Sequence, residues 1–386
     1  MKHVIFVFFA ALSLLLYASV DGSAQGKFSG VFYGDYFYNA ARDTAAYRAN
    51  LPNSAVNGPK SNQGFVIRRV YFTYDYDLAE QFATRFRVEL DETPNSSGAY
   101  NILSTGNVGV FVKDAWLRWK NIFKGSDLYF GIQPTSAYEI SEGIWAYRGL
   151  EKTIMDLRGI VSSRHLGVAL RGKFDDDGMF GYWVTVANQN SGVQPKDLTT
   201  TVRNGDKYNL YSLSLAYRPT KEVAVTLYGD YRPTYPVTDP ASTAVPKAAV
   251  SNNTLTGALF ASYKGGNEFA IGAEAFTQQT SHAYADPAAA NQLKALAKVG
   301  ISVFGWYNFS EELGAIARYD YYDPKSGSDN SEKGDSRGYL LAGLTYKPAK
   351  NVQVIPNLLV ETYESIPNGR SIDAALTARL TFLFSF

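Results

Sequence analysis

The C-terminal stretch Ser371–Phe386 alternates strictly between two kinds of side chain. One face carries Ile372, Ala374, Leu376, Ala378, Leu380, Phe382, Phe384 and Phe386. The other face is mostly polar, and includes Asp373 and Arg379. This period-two pattern predicts a strand with one wholly apolar face. In a soluble protein its edge would promote aggregation. In an outer membrane its apolar face can contact lipid while its edge pairs with the first strand. We therefore predict the closing strand of a transmembrane barrel.

The N-terminus has the features of a cleavable secretory signal. An apolar run extends from Val4 to Val20, after Met1-Lys2-His3. Gly22-Ser23-Ala24 then supplies small residues where signal peptidase inspects the chain. We expect a signal peptide at residues 1–24 and a barrel domain at residues 25–386. A transmembrane anchor is the alternative, but the run is at the short limit for a span.

Composition agrees with a membrane barrel. No later segment approaches the roughly 18 consecutive apolar residues that a membrane helix needs, and the mean hydropathy is −0.19. Yet the chain contains 28 Tyr, 23 Phe and 33 Gly. A chain rich in tyrosine and glycine, but without long apolar runs, is typical of barrels whose strands are only half exposed to lipid.

From Lys27 onward, alternating segments are separated by connections of two lengths. The segmentation predicts sixteen antiparallel strands, with long connections after odd-numbered strands and short ones after even-numbered strands. This asymmetry is typical of bacterial outer-membrane barrels. A β-sandwich would also need a core that strands with one wholly polar face cannot supply. One long connection, rich in Ala, Leu and Lys, is expected to hold a short helix at Ala288–Lys298.

The longest connection, Pro134–Ser163, is unusually apolar for a loop. It carries Tyr138, Ile144, Trp145, Tyr147, Leu150, Ile154, Met155 and Leu157. Because loops normally face water, this one should pack against another surface. A barrel of sixteen strands is wide enough to leave an aqueous channel, so we expect an inward-folded constriction loop. A lid over the mouth and a subunit contact are the alternatives.

Basic side chains occur in this loop and at predicted lumen-facing positions. The candidates for pore lining and anion binding are Arg69, Arg85, Arg87, Arg118, Arg148, Lys152, Arg158, Arg171, Lys173 and Arg379. Guanidinium groups can bind phosphate or carboxylate through two N–H groups. Charges at the narrowest point of a pore determine its selectivity. The alternative is a charge-balanced wall, in which these bases pair with neighbouring acids.

Catalytic, metal and cofactor sites are not indicated. After the predicted signal the chain has two histidines, His165 and His282, and neither belongs to a recognisable arrangement with a nucleophile or an acid. The chain has no cysteine, and no metal-ligand spacing or phosphate-binding glycine loop. We predict a protein that is not an enzyme and needs no cofactor or metal. The formal net charge of +1 predicts nothing about nucleic-acid binding, and we expect no nucleic-acid partner.

Five stretches, taken in order, carry a resemblance to a known family. They are Gly64–Phe72, Arg85–Glu89, Lys113–Trp119, Tyr129–Pro134 and Arg164–Val168. Together they span roughly Gly64–Phe174 and resemble the phosphate-selective porin O/P family. The resemblance implies a sixteen-stranded trimeric porin with an inward third loop and pore-lining bases that attract phosphate-like anions. A final strand ending in Phe386 is similar to the signal that outer-membrane barrels present to their assembly machinery.

The sequence thus predicts an outer-membrane porin: a water-filled channel for passive diffusion of small hydrophilic solutes, with anions such as phosphate as the favoured class. A structural or adhesive barrel with a closed lumen is the main alternative, and absence of single-channel conductance would favour it. A barrel hydrolase is a third possibility, and cleavage activity that depends on His165 would support it.

Overall fold

The computed structural model describes residues 26–43, 59–91, 109–189, 208–286, 289–326, 336–364 and 371–386. The signal peptide predicted at residues 1–24 lies outside these ranges. The described part of the chain contains sixteen strands and two short helices. The strands are β1 (Lys27–Ala41), β2 (Gln63–Ala79), β3 (Phe82–Asp91), β4 (Gly109–Phe123), β5 (Ser126–Pro134), β6 (Arg164–Lys173), β7 (Phe180–Asn188), β8 (Asn209–Tyr217), β9 (Val223–Thr238), β10 (Ala249–Gly265), β11 (Phe269–Asp286), β12 (Gln292–Asn308), β13 (Leu313–Asp323), β14 (Arg337–Ala349), β15 (Val352–Tyr363) and β16 (Ala375–Ser385). The helices are α1 (Glu139–Trp145) and α2 (Ile154–Leu157).

The strands form one closed antiparallel barrel, in which each strand pairs with its neighbours in sequence and β1 pairs with β16. The predicted closing strand is confirmed. Past its end, Phe386 exchanges two backbone hydrogen bonds with Gly30, at 2.9 and 3.0 Å. The Phe386 ring also lies 6.2 Å from the ring of Phe72 on β2. Closure leaves no free sheet edge, which is the condition for a sheet to cross a membrane.

The outer face of the barrel is apolar. Along β8 the burial alternates residue by residue, with Tyr211, Leu213 and Leu215 exposed and the intervening serines buried. The same alternation on other strands exposes further large apolar side chains: Leu227, Leu259, Ile271, Ile301, Leu344 and Leu358. An exposed apolar surface around a closed barrel fits a lipid bilayer and not water.

The prediction of a short helix at Ala288–Lys298 is wrong. Residues from Gln292 onward belong to β12, which pairs with β11 through Tyr284 opposite Lys294 and Asp286 opposite Gln292. Helix propensity is a weak preference, and here the backbone bonds of a long hairpin override it. Ala290 and Asn291, directly before β12, have φ values of 53° and 61°.

The expected alternation of connection lengths holds with one exception. Strands β9 to β12 extend further than their alternation predicts, so that β9 continues to Thr238 and β11 to Asp286. The connection between β11 and β12 therefore shrinks to residues 287–291, although it follows an odd-numbered strand. Below, the end of the barrel at the β2–β3 and β4–β5 turns is called the short-turn end.

Candidate functional site

Residues 135–163, called the inner loop below, fold into the barrel. Helix α1 contacts β10, β11 and β12, and α2 contacts β12. Trp145 and Leu150 are almost completely buried. They pack against inward-facing apolar side chains of the wall: Phe260, Phe304, Tyr339, Leu341, Ile355 and Leu359. The alternation predicted wholly polar inward faces. The inward faces are instead partly apolar, because this part of the wall packs against the loop.

The wall also holds the inner loop by its backbone. Side chains of several strands donate hydrogen bonds to carbonyl oxygens of the loop. The bonds run from Arg68 to Gly149 and Leu150, from Arg379 Nη2 to Leu150 (3.1 Å), from Arg318 to Lys152, from Arg232 Nη2 to Ile160 (3.2 Å), from Gln278 Nε2 to Ile160 (2.8 Å), and from Trp306 Nε1 to Ile144 (2.9 Å). A buried carbonyl that loses its donor costs about 1–3 kcal/mol. These contacts therefore fix the position of the loop.

Inside the loop, Arg148 ties the two helices together. Its guanidinium donates to Glu142 Oε1 and to Asp156 Oδ2, both at 2.7 Å, and to the Tyr71 hydroxyl at 3.1 Å. Burial alone would raise the pKa of Asp156, but Arg148 and Lys152 outweigh it and lower that pKa to about 2. Burial raises the pKa of Glu142 despite the same arginine. Arg148 thus bridges the loop to the wall at Tyr71.

Two β-bulges, one on β2 and one on β4, change which side chains face inward. Tyr33 pairs with Arg69 and Gly34 pairs with Ile67, so Arg68 is an extra residue and both arginines point inward. On β4 the register skips Lys113, and Lys113 and Asp114 are both buried on the inner side. Bulges frequently redirect side chains beside functional sites.

On strands β2 to β6, bases reach the lumen while their acidic partners lie beneath them. Arg69 is 3.4 Å from Glu89, and Arg87 is 3.2 Å from Asp114. Arg164 also bonds to Asp114. The side chains of these arginines are 11–22% exposed, whereas both carboxylates are 0% exposed. Around Glu89 and Asp114, the surface offered to a solute is therefore basic.

Nearer the short-turn end, three arginines lie against aromatic rings. Arg85 lies over Trp116 and donates to Asp75 at 2.7 Å. Arg118 lies near Tyr129, and its Nη2 is 2.5 Å from an oxygen of Asp127. The third is Arg171, whose Cζ is 3.4 Å from the ring centroid of Trp183 and 4.0 Å from that of Tyr129. Each of these three guanidinium groups thus has a ring as well as an acid beside it.

The remaining predicted bases lie elsewhere. Arg158 is buried against Glu361, with 3.1 Å between Nη1 and Oε1. Arg379 has a fully buried side chain and holds the inner loop. Lys173 is at the end of β6, where it donates to the carbonyl of Asp176 in the exposed turn. Lys152 is 32% exposed and lies 4.0 Å from Asp156 on the loop. Arg158 and Arg379 are therefore part of the packing between loop and wall.

The alternation of the sequence did not identify Arg68 and Lys113 as inward-facing bases. Each is next to another charged residue, in the pairs Arg68-Arg69 and Lys113-Asp114. Strict alternation would put one member of each pair on the lipid face, where a charge is unfavourable. Consecutive charges within a membrane strand are thus a signal for a bulge. The sequence gives no comparable signal for the rings of Tyr129 and Trp183 that pack against Arg171, because their contact depends on the pairing of β5, β6 and β7.

Within the described ranges, no hydrogen bond joins either histidine to the arginines of this surface. His165 is 3% exposed on β6, and neither ring nitrogen has a hydrogen-bond partner among the described residues. His282 is on β11, where its Nδ1 contacts the carbonyl oxygen of Ser251 at 2.6 Å. Within the described ranges, no group of three or more histidine or carboxylate side chains is arranged to hold a metal ion. Among those residues, no helix is both long and apolar enough to span a bilayer.

Comparison with known proteins adds the class of fold. No family model and no curated protein matches the sequence. Solved structures do match along nearly the whole chain. An anion-selective porin from Comamonas acidovorans is 11% identical, with a TM-score of 0.63, and 94% of this chain aligns with 100% of that one. The outer-membrane channel DcaP of Acinetobacter baumannii is 12% identical, with a TM-score of 0.63, and the alignment covers 95% and 99% of the two chains.

A third structure is the trimer form of OmpT, an outer-membrane protein of Vibrio cholerae. It is 15% identical, with a TM-score of 0.56, and the alignment covers 95% of this chain and 100% of that one. The chain therefore has the sixteen-stranded fold of outer-membrane porins. Its apolar outer face and closed sheet agree with that fold, and the protein is an outer-membrane β-barrel.

Proposed function

We propose that the protein is an outer-membrane porin through which small hydrophilic solutes diffuse passively, with a preference for anions such as phosphate. The observation that carries this proposal is the arrangement of charge on β2 to β6. Arginine side chains retain exposure inside the barrel, while Glu89 and Asp114 are covered by their partners. A solute that reaches the wall around Glu89 and Asp114 therefore meets N–H donors and not carboxylates.

The mechanism follows from the position of these donors. Exposed guanidinium groups lower the electrostatic potential energy of an anion that enters a narrow, low-dielectric passage. Because the bases are spread over several strands, an anion can pass from one to the next. Weak binding at several sites permits both entry and exit. No energy source is required, and the inner loop restricts the size of the solute.

Planar-bilayer recording of the purified protein in a KCl gradient tests the proposal. We expect single-channel conductance and a reversal potential of the sign for chloride preference. The double variant Arg87→Glu with Arg118→Glu should reverse that sign, because it replaces two lumen-exposed bases with acids. Arg87→Lys with Arg118→Lys is the matched control and should preserve it. Absence of conductance would instead favour a closed adhesive barrel, and an unchanged reversal potential would contradict the anion preference.

The partners that we propose are outer-membrane lipid, the barrel-assembly machinery and two further copies of the chain. The Phe386 side chain is 66% exposed on the lipid-facing side, where an assembly factor can contact it. The structural similarity to a trimeric barrel supports a homotrimer. Light scattering of the detergent-solubilised protein would measure the trimer. Deletion of Phe386 should lower the yield of assembled barrel, with Phe386→Tyr as the control.

A further inference from the structure

Arg171 differs from the other pore-facing arginines in which side chains contact its guanidinium group. Arg85, Arg87 and Arg118 each have a carboxylate oxygen between 2.5 and 3.2 Å away. Arg171 pairs with Glu139, with 4.0 Å between Nη1 and Oε2. That is the longest ion pair among these arginines in the described part of the chain. The side chain of Glu139 is 48% exposed.

Aromatic rings take the place of a close carboxylate. The Cζ atom of Arg171 lies 3.4 Å from the centroid of Trp183 and 4.0 Å from that of Tyr129. Its Nη2 donates to Gln133 Oε1 at 3.3 Å, while its buried Nε has no hydrogen-bond partner in the described ranges. The side chain nevertheless remains 19% exposed. Stacking, and not an ion pair, is therefore the main contact that positions this guanidinium.

The two ways of holding an arginine differ in their electrostatic effect. A carboxylate in contact cancels most of the field of the guanidinium at a distance. A ring attracts the cation through its quadrupole but carries no net charge. An arginine that is backed by rings therefore leaves more of its field at the pore wall than one with a carboxylate in contact, and that field is what discriminates between ions.

We infer that Trp183 and Tyr129 are positioning residues that determine anion preference, because they hold the guanidinium of Arg171 away from Glu139 and leave its charge available to solutes. This inference rests on the proposed porin function. It assigns a specificity role to two neutral side chains, and it predicts that Glu139 captures Arg171 once a ring is removed.

A double-mutant cycle in planar bilayers tests this coupling. The variants are Trp183→Leu, Glu139→Gln and their combination, with Trp183→Phe as the control that retains a ring. We expect Trp183→Leu to lower the chloride-to-potassium permeability ratio roughly twofold, because Glu139 then approaches Arg171. Trp183→Phe should keep the wild-type ratio. Glu139→Gln should raise the ratio more in the Trp183→Leu background than in the wild type.

The outcomes separate this inference from the proposed function. If the wild-type channel prefers anions but Trp183→Leu leaves the ratio unchanged, the inference is overturned and the porin function stands. The same holds if Glu139→Gln has equal effects in both backgrounds. A wild-type channel without anion preference would contradict the proposed function itself. Should Trp183→Leu fail to assemble, Tyr129→Leu with Tyr129→Phe provides the same cycle on the second ring.

Discussion

The interior of the barrel has two regions that use arginine in opposite ways. On strands that face the inner loop, Arg318 and Arg379 are buried and donate to loop carbonyls or to buried acids, as Arg318 does with Lys152 and Asp320. On the lumen-facing wall, Arg69 and Arg87 retain exposure above the buried carboxylates of Glu89 and Asp114. The same residue type thus fixes the loop in one region and lines the passage in the other.

The difference shows why counting charges does not predict selectivity. On β2 to β4 the carboxylates Glu89 and Asp114 are 0% exposed, whereas the side chains of Arg69, Arg87 and Lys113 that pair with them retain 9–22% exposure. Selectivity depends on which partner of each pair a solute can reach.

The largest expected effect comes from breaking the region that holds the loop. Arg318→Met removes the partner of Asp320, a carboxylate that is 0% exposed. An unpaired buried charge costs about 3–5 kcal/mol, so we expect a marked loss of stability in denaturant unfolding. We also expect larger and noisier single-channel currents, because the bond to the Lys152 carbonyl is lost as well.

The double variant Arg318→Met with Asp320→Asn is the matched control for that prediction. It removes the stranded charge and should recover most of the lost stability. It should not restore the low current noise of the wild type, because the hydrogen bond from residue 318 to the Lys152 carbonyl is still missing. Equal stability of the single and double variants would show that the ion pair is not what this region depends on.

Packing of the loop should account for the next largest effect. Leu150 is 1% exposed and lies in the apolar cluster between loop and wall. Leu150→Ala should destabilise the protein by about 2–5 kcal/mol, through lost burial and the cavity that remains. Equilibrium unfolding in urea measures it, and Leu150→Met, which nearly conserves volume, is the control. A change below 1 kcal/mol would mean that the loop contributes little to stability.

Much of this organisation could be predicted from the sequence, and the remainder could not for physical reasons. Alternation identified the strands, including the last one that pairs with the first, because one face of each strand must contact lipid. The apolar residues of 134–163 identified the loop that packs inside. Alternation could not place Arg68, because a bulge shifts the pattern by one residue. It could not separate Arg379 from Arg87, because burial of an inward side chain depends on where the loop docks.

The pH dependence of loop docking offers a smaller and more specific test. The pKa of Asp156 is about 2, below its ordinary value of 3.8. A lowered pKa in the folded state means that the ion pair stabilises the docked loop above pH 4, and that this contribution is lost as the pH falls through 2. The shift corresponds to about 2 kcal/mol. Asp156→Asn should therefore reduce the difference in unfolding free energy between pH 5 and pH 2.

Glu142 serves as the internal control for this test. Burial raises its pKa, so its protonation favours the docked loop as the pH falls, which is the opposite sign. Glu142→Gln should therefore make the loss of stability at low pH steeper. Identical pH profiles for Asp156→Asn and the wild type would contradict the role given to the pair of Arg148 and Asp156.

The smallest effect on stability should come from the lumen-facing region. Arg85 and Asp75 form an ion pair whose side chains are 30% and 34% exposed. Exposed pairs contribute about 0–1 kcal/mol, so Arg85→Gln should hardly change the unfolding midpoint. It should still lower the chloride-to-potassium permeability ratio, because it removes a base from the lumen while Asp75 remains. Arg85→Lys keeps the charge and should preserve the ratio. If Arg85→Gln destabilised the protein as much as Arg318→Met, the two regions would not differ in the way described above.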